Sequence, residues 1–188
     1  MTNAIIFGIT GTLGAGKGTI VDYLVHQKEF RHYSVRAFLS EVIRQRGLEL
    51  NRDSLTMVAN ELRARHSPSY ITDCLYEQAA QVGGNCIIES IRTPGEIASL
   101  REKPGFVLLA VDADRQLRYQ RIRQRMSETD HIDYVTFVAN EEREMHATDP
   151  NYQNLAACIA QADFVLTNNG TVKELEDSIE ALLQKLKN

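Results

Sequence analysis

Four glycines and one lysine stand together in "GTLGAGKGT", from Gly11 to Thr19. Gly11, Gly16 and Lys17 satisfy the spacing G-x-x-x-x-G-K, which binds phosphate because glycine lets successive backbone N–H groups converge on an anion. A lysine at the end of such a loop reaches toward the β- and γ-phosphates of a nucleotide. The candidate nucleotide-binding residues are therefore Gly11, Thr12, Leu13, Gly14, Ala15, Gly16, Lys17, Gly18 and Thr19. Serine or threonine usually follows the lysine and ligates Mg²⁺. Here Gly18 follows it, so the hydroxyl comes one residue later, at Thr19, which becomes the loop's metal candidate, directly or through water.

Two more sets of residues have the types and spacing for phosphate chemistry. Glu89 closes the apolar run "CIIES", and a carboxylate emerging there beside the glycine loop is placed where a hydrated Mg²⁺ would offset its charge. A glutamate that merely caps the following turn is the structural alternative. Arg121 and Arg125 are four residues apart in a helical stretch and share one face, whereas Arg118 and Arg123 should point elsewhere. Two guanidiniums on one face repel unless an anion lies between them, and a transferring phosphoryl group is such an anion. A solvated basic face balanced by Glu128 and Asp130 is the alternative.

These residues need a scaffold that brings strand ends together. Short apolar runs occur at 4–10, 32–35, 86–90, 106–112 and 163–168, separated by stretches of helical periodicity at about 17–28, 36–47, 52–65, 69–82, 95–102, 114–127, 133–147 and 171–187. Runs that are continuous rather than alternating mark strands covered on both faces, as in a parallel sheet between helical layers. The expected fold is a doubly wound α/β domain with the glycine loop at the carboxyl end of the first strand, where ligands bind in such sheets. In the last helix, Val172, Leu175, Ile179, Leu182, Leu183 and Leu186 form one apolar stripe that covers the sheet.

Composition narrows the classes. With 188 residues and 43% hydrophobic content, and no linker or repeat, the chain is expected to form one domain over 1–188. A formal charge of -4 and a pI near 5.8 argue against a protein built mainly to hold nucleic acid. Cys74, Cys86 and Cys158 are odd in number and far apart; they read as small buried hydrophobes in a reducing compartment. The start "MTNAIIFGIT" resembles neither a signal peptide nor a membrane span. A cytoplasmic protein without a membrane partner is the expectation.

The loop "GAGKGT" is the form found in adenylate kinases and other nucleoside monophosphate kinases. "CIIESIRTPGE" resembles that family's strand ending in an acid with an arginine three residues on, "VDADRQLRYQRIRQR" the strand and helix leading to the lid, and "QADFVLTNNGTVKELEDSIEALL" the C-terminal segment of dephospho-CoA kinases. Together with "SVRAFLSEVIRQRGLELNRDSLTMVANELR", the whole chain resembles adenylate-kinase-like, dephospho-CoA-kinase-related P-loop proteins. That resemblance implies a P-loop NTPase fold of three α/β/α layers with a five-stranded parallel sheet, acceptor-binding helices within about 36–82 and a short helical lid within about 126–148. It implies ATP as donor, Mg²⁺ near Glu89 and Thr19, Arg92 on the acceptor's phosphate, Arg121 and Arg125 at the lid base, and Asn168 in the turn beside the nucleotide base.

The resemblance thins on the acceptor side. Where adenylate kinases carry an arginine after the second strand, this chain has Ser40; Arg36 and Arg44, roughly a helical turn to either side, are the substitutes, or ordinary surface residues. Arg63 either reaches the acceptor phosphate or pairs with Glu61. Arg143 either closes over the phosphates or joins a surface ion-pair network. The lid segment "MSETDHIDY" has no cysteines for zinc, and His131 reads as exposed rather than a ligand. The leading expectation is transfer of the γ-phosphoryl of ATP to a nucleoside monophosphate or related phosphorylated small molecule. Dephospho-CoA kinase is one alternative, although the acidic and histidine pattern that would activate a ribose hydroxyl is not found in "HYSVRAFLSE". A regulatory ATPase with a macromolecular partner is another.

Overall fold

The computed structural model describes residues 4–125 and 132–187. Five strands, β1 (Ile6–Gly11), β2 (Arg31–Ser34), β3 (Cys86–Glu89), β4 (Phe106–Asp112) and β5 (Phe164–Thr167), form one sheet in the order β2-β3-β1-β4-β5. Every neighbouring pair is parallel. From the central β1 the chain crosses to the edge strand β2 and returns to β3, between β2 and β1, and then builds outward on the other side through β4 and β5. That reversal opens a crevice at the carboxyl ends of the central strands, the place where sheets of this kind bind ligands.

The helices are α1 (Lys17–Lys28), α2 (Val35–Gln45), α3 (Arg52–Arg65), α4 (Tyr70–Val82), α5 (Pro94–Arg101), α6 (Arg115–Arg125), α7 (Tyr134–Met145), α8 (Leu155–Ala160) and α9 (Val172–Lys187). Successive strand residues point to opposite faces, so each central strand feeds two cores. Ile6, Ile88 and Leu108 pack with Leu39, Ile43, Val58 and Ile71 of α2 to α4, while Phe7, Ile9, Ile87, Leu109 and Val111 pack with Ile20 and Leu24 of α1 and Leu175 and Ile179 of α9. All six residues of β1 are buried. This double covering is why the central runs read as continuously apolar.

The edge strands depart from that expectation. β5 alternates between half-buried and exposed, with Val165 53% exposed, and β2 has no buried residue. Val172, counted in the stripe of the last helix, is also exposed, at 59%, because α9 only begins there and the sheet is covered by the turns beyond it. Cys86 and Cys158 are buried and Cys74 is half-buried; all three are free thiols. Helix α8 was not foreseen, for six residues are too few to display a helical period. It is fixed instead by its cap, Asn154 Oδ1 accepting from Ala157 N at 3.0 Å, and by the burial of Leu155 and Cys158. No described helix is long and apolar enough to cross a membrane. The first lid residues, 126–131, including Glu128, Asp130 and His131, lie outside the described residues.

Candidate active site

The glycine loop leaves β1 at Gly11, whose φ is 139°; a Cβ there would stand 2.1 Å from the carbonyl oxygen of Val111 in β4, so no side chain fits. Gly16, with φ 108°, turns the chain into α1, and a Cβ there would meet the Asn168 amide at 2.3 Å. Between them the loop is held from behind. The Thr12 hydroxyl donates to Asp112 Oδ1 at 2.6 Å, the Leu13 carbonyl accepts from Arg118 Nη1 at 3.3 Å, and the Ala15 carbonyl accepts from Asn168 Nδ2 at 2.8 Å. Lys17 Nζ donates to the carbonyls of Gly11 and Thr12, both at 2.9 Å, folding the ammonium over the loop. Burial of that ammonium, with the Arg92 charge acting in the same direction, pushes its pKa down to about 8.

On the neighbouring strand, Glu89 ends β3 and stands opposite Ser34 of β2 in the sheet register. Its carboxylate accepts from Ser90 Oγ at 2.8 Å and Ser34 Oγ at 3.4 Å, and His32 Nε2 lies 3.5 Å away. Burial alone would raise its pKa, but the hydrogen bond from His32, the Lys17 charge and the Ser90 hydroxyl outweigh it and hold the group at about 2. Ser90 adopts φ 75°, a left-handed conformation rare for serine, and both Ser90 N and Ile91 N donate to the Ile9 carbonyl at 3.0 Å. That turn is locked to β1 and projects Arg92.

A cavity of about 550 Å³ connects these pieces. Lys17, Gly18 and Thr19 line it, with Glu89, Ser90 and Arg92, and so do Arg121 and Arg125 from α6. Arg121 Nη1 also donates to the Asn168 carbonyl at 2.9 Å. Arg118 does not line the cavity, although it stands three residues before Arg121 on the same helix: it is 4% exposed, drawn away by its partners, and its guanidinium bonds Ala113 O, Leu13 O and Glu141 while lying over the Phe137 ring. The Asn168 side chain is engaged with the loop at Ala15, so its contact in this structure is with the loop backbone.

The acceptor candidates divide. Arg36 lines the cavity. Arg44 is exposed on α2 and does not line it, and Ser40 is buried with its hydroxyl bonded back to the Arg36 carbonyl at 2.8 Å. Arg63 borders the cavity but pairs with neither a ligand position nor Glu61. It is 2% exposed and bonds Glu96 Oε1 through Nη2 at 2.8 Å, while Glu61 pairs with Arg46 and Arg65. Glu96 Oε2 in turn accepts from the backbone N–H groups of Arg92 and Thr93, so this buried pair fixes the Arg92 turn. Arg143 is outside the cavity lining, 3.5 Å from Asp53 and bonded to Asn140.

Among the cavity residues that sequence reasoning did not single out, three polar ones matter for Arg92. Arg52, at the start of α3, Glu144, in the last turn of α7, and Gln153, in the link between α7 and α8, all line the cavity. Glu144 accepts from both Arg52 and Arg92, and Gln153 Oε1 accepts from Arg92 Nη1 at 2.7 Å. Burial disfavours charge on Glu144, yet Arg92 and Arg52 together hold its pKa below the ordinary carboxylate value. Nothing local marks these residues; they acquire meaning only when segments 92 residues apart meet. An apolar wall from Val35, Leu39, Leu55 and Ala59 lies beside them.

Among the described residues no group of three or more metal-ligating side chains forms a cage. Among the oxygen donors that line the cavity are the Glu89 carboxylate and the Thr19 hydroxyl, a pair too sparse for a cage but suited to Mg²⁺, which keeps several waters and takes phosphate oxygens as its remaining ligands.

The arrangement has clear relatives. Residues 8–149 match the model of the family described as "AAA domain". A UPF0200 protein of Methanothermobacter thermautotrophicus is 27% identical over 186 residues, covering 98% of this chain and 92% of its own. Among solved structures, TT1252 from Thermus thermophilus superposes with a TM-score of 0.65 at 20% identity, over 98% of this chain and 99% of that one. A shikimate kinase from Bacteroides thetaiotaomicron gives a TM-score of 0.58 at 11% identity, over 96% and 98%. Glycine loop, switch-point cavity and these similarities agree: the chain belongs to the AAA domain family and has the fold of the P-loop kinases.

Proposed function

We propose that the protein transfers the γ-phosphoryl group of ATP to a phosphorylated small molecule of the nucleoside monophosphate type. The observation that carries this reading is that one cavity is lined by Lys17 and Thr19 from the glycine loop and start of α1 and by Arg36, Arg52 and Arg92 from other elements, beside an apolar wall. A donor site alone would need the loop; several further anion-binding groups around an apolar surface suit a second substrate with a phosphate and a flat body. Lys17 and the loop hold the donor phosphates, Arg92 holds the acceptor, and Arg121 and Arg125 stand where they balance the charge of the moving phosphoryl group. Mg²⁺, when bound near Glu89 and Thr19, supplies charge neutralisation on the donor phosphates.

The chemistry of Glu89 bears on the acceptor class. A carboxylate held at about 2 is a weak base. It suits a metal or water contact better than removal of a proton from a hydroxyl, whereas the phosphate oxygen of a nucleoside monophosphate is already ionised and needs no base. This favours a phosphate-oxygen acceptor over the ribose hydroxyl of dephospho-CoA. The test is ADP release coupled to an indicator, measured with nucleoside monophosphates, their deoxy forms and dephospho-CoA. A nucleoside monophosphate is expected to raise the rate well above the acceptor-free rate. If no small acceptor raises it and a macromolecular partner does, the regulatory ATPase reading replaces this one.

A further inference from the structure

Arg52, Arg92 and Glu144 come from α3, from the turn after β3 and from the last turn of α7, yet they share one corner of the cavity. Glu144 is 4% exposed; its Oε1 accepts from Arg52 Nη2 at 2.5 Å and its Oε2 from Arg92 Nη1 at 2.7 Å. One carboxylate thus bridges two guanidiniums, and the arrangement is incomplete: Arg52 Nε is buried with no hydrogen-bond partner. A buried donor left unpaired is costly, and a carboxylate already giving both oxygens to different arginines has no third to offer. A phosphomonoester has three terminal oxygens and a charge between -1 and -2 near pH 7, so it would meet the same two forks and the vacant Nε as well.

We propose that Arg52 and Arg92 together form the clamp for the acceptor's phosphate, and that Glu144 occupies this clamp as an internal anion that the phosphomonoester displaces. This inference rests on the kinase reading for the identity of the ligand. Arg52 becomes a specificity-determining residue: it selects an acceptor that carries a terminal phosphate, because exchanging one carboxylate for a second carboxylate leaves Nε unmet. Glu144 weakens every anion that enters, since the free clamp is populated only to the extent that Glu144 leaves it. Glu141, three residues earlier on α7, bonds Arg118, which in turn bonds the loop carbonyl of Leu13. The exchange therefore takes place on a helix that is linked to the donor loop through Arg118.

The test titrates inorganic phosphate, at ionic strength balanced with chloride, into protein saturated with Mg²⁺ and the β,γ-imido analogue of ATP, with heat as the readout. Glu144→Gln removes the competing charge and should bind phosphate at least about tenfold more tightly than the natural chain, a change of about 1.4 kcal/mol. A folded Glu144→Gln protein with unchanged or weaker phosphate affinity overturns the proposal. Adding Arg52→Gln to Glu144→Gln should abolish the gain; a gain that survives removes Arg52 from the clamp and also overturns it. Should Glu144→Gln fail to fold, Glu144→Asp, one methylene shorter, should show tightening in the same direction, and phosphate affinity equal to that of the natural chain would count against the exchange. The comparison of single and double variants assigns the effect to the clamp whether or not the analogue binds. Failure of the analogue to bind sinks the kinase reading alone.

Discussion

The phosphate loop and the acceptor corner face the same cavity but are held together by opposite means. The loop is set by backbone: glycines at positions where a Cβ would strike Val111 or Asn168, and carbonyls drawn back by Arg118 and Asn168. The acceptor corner is set by charge: Arg63 with Glu96, Arg52 and Arg92 with Glu144, each pair joining distant elements. A backbone cradle is preorganised and changes little when its ligand arrives. An ion-pair network in low dielectric is rigid while complete and rearranges when a new anion competes for it. On the proposed reading the donor side is thus built to be constant, and the acceptor side to exchange partners.

The largest expected effect breaks the loop's chemistry while sparing its shape. Lys17→Ala should reduce phosphoryl transfer by at least about 10³-fold, the scale for a lost preorganised charge at a developing phosphate. Intact turnover in that variant would remove the loop from the site. On the acceptor side the largest effect is on stability. Arg63→Ala leaves Glu96 charged and unpaired in the core, which costs about 3–5 kcal/mol, and the thermal midpoint should fall by roughly 10 °C. A midpoint within about 2 °C of the natural chain would show that the pair contributes little to holding the Arg92 turn.

Arg92→Ala separates the two sides. Glu96 holds the backbone N–H of Arg92, so the turn remains anchored without the side chain. Acceptor use should weaken by about 2 kcal/mol, the scale of a lost charge-assisted contact, with ATP affinity nearly unchanged. Arg92→Lys should restore only part, since an ammonium keeps the charge but not the fork. Weakened ATP binding with normal acceptor use would place Arg92 on the donor side instead.

The smallest effect is graded with pH. Lys17 loses its proton near pH 8 in the empty protein, so ATP affinity should be level below that value and decline above it, by up to about tenfold per pH unit. The sign for stability is opposite. With its folded pKa below the unfolded value near 10.5, the folded state binds fewer protons between about 8 and 10.5, and this group's contribution to stability rises with pH across that window. ATP affinity that is level from pH 7 to 9.5 would mean that the lysine keeps its proton in the free protein.

This contrast also explains what could be read from the sequence. Gly11, Gly16, Lys17 and the alternating strands and helices are local signals, and the sheet, its layers and the loop follow from them. Glu89, Arg92, Arg121 and Arg125 could be placed near the loop because each lies a few residues from a strand end or on a helix face. For Arg63 the sequence offers only a near neighbour, Glu61 two residues away, or a ligand as partner, because a partner 33 residues away, Glu96, is not visible in it. Arg52, Glu144 and Gln153 were invisible for the same reason, and Gln153 sits in a connection tied to the rest of the fold by tertiary contacts such as Asn154 N donating to the Arg92 carbonyl at 2.9 Å.

The most direct measurement of the central claim follows the phosphoryl group itself. ATP labelled at the γ-phosphate is incubated with the protein, Mg²⁺ and each nucleoside monophosphate in turn, and the products are separated. The proposed function predicts label in a nucleoside diphosphate, formed in a one-to-one ratio with ADP. Label recovered only as inorganic phosphate, whichever acceptor is present, would contradict it.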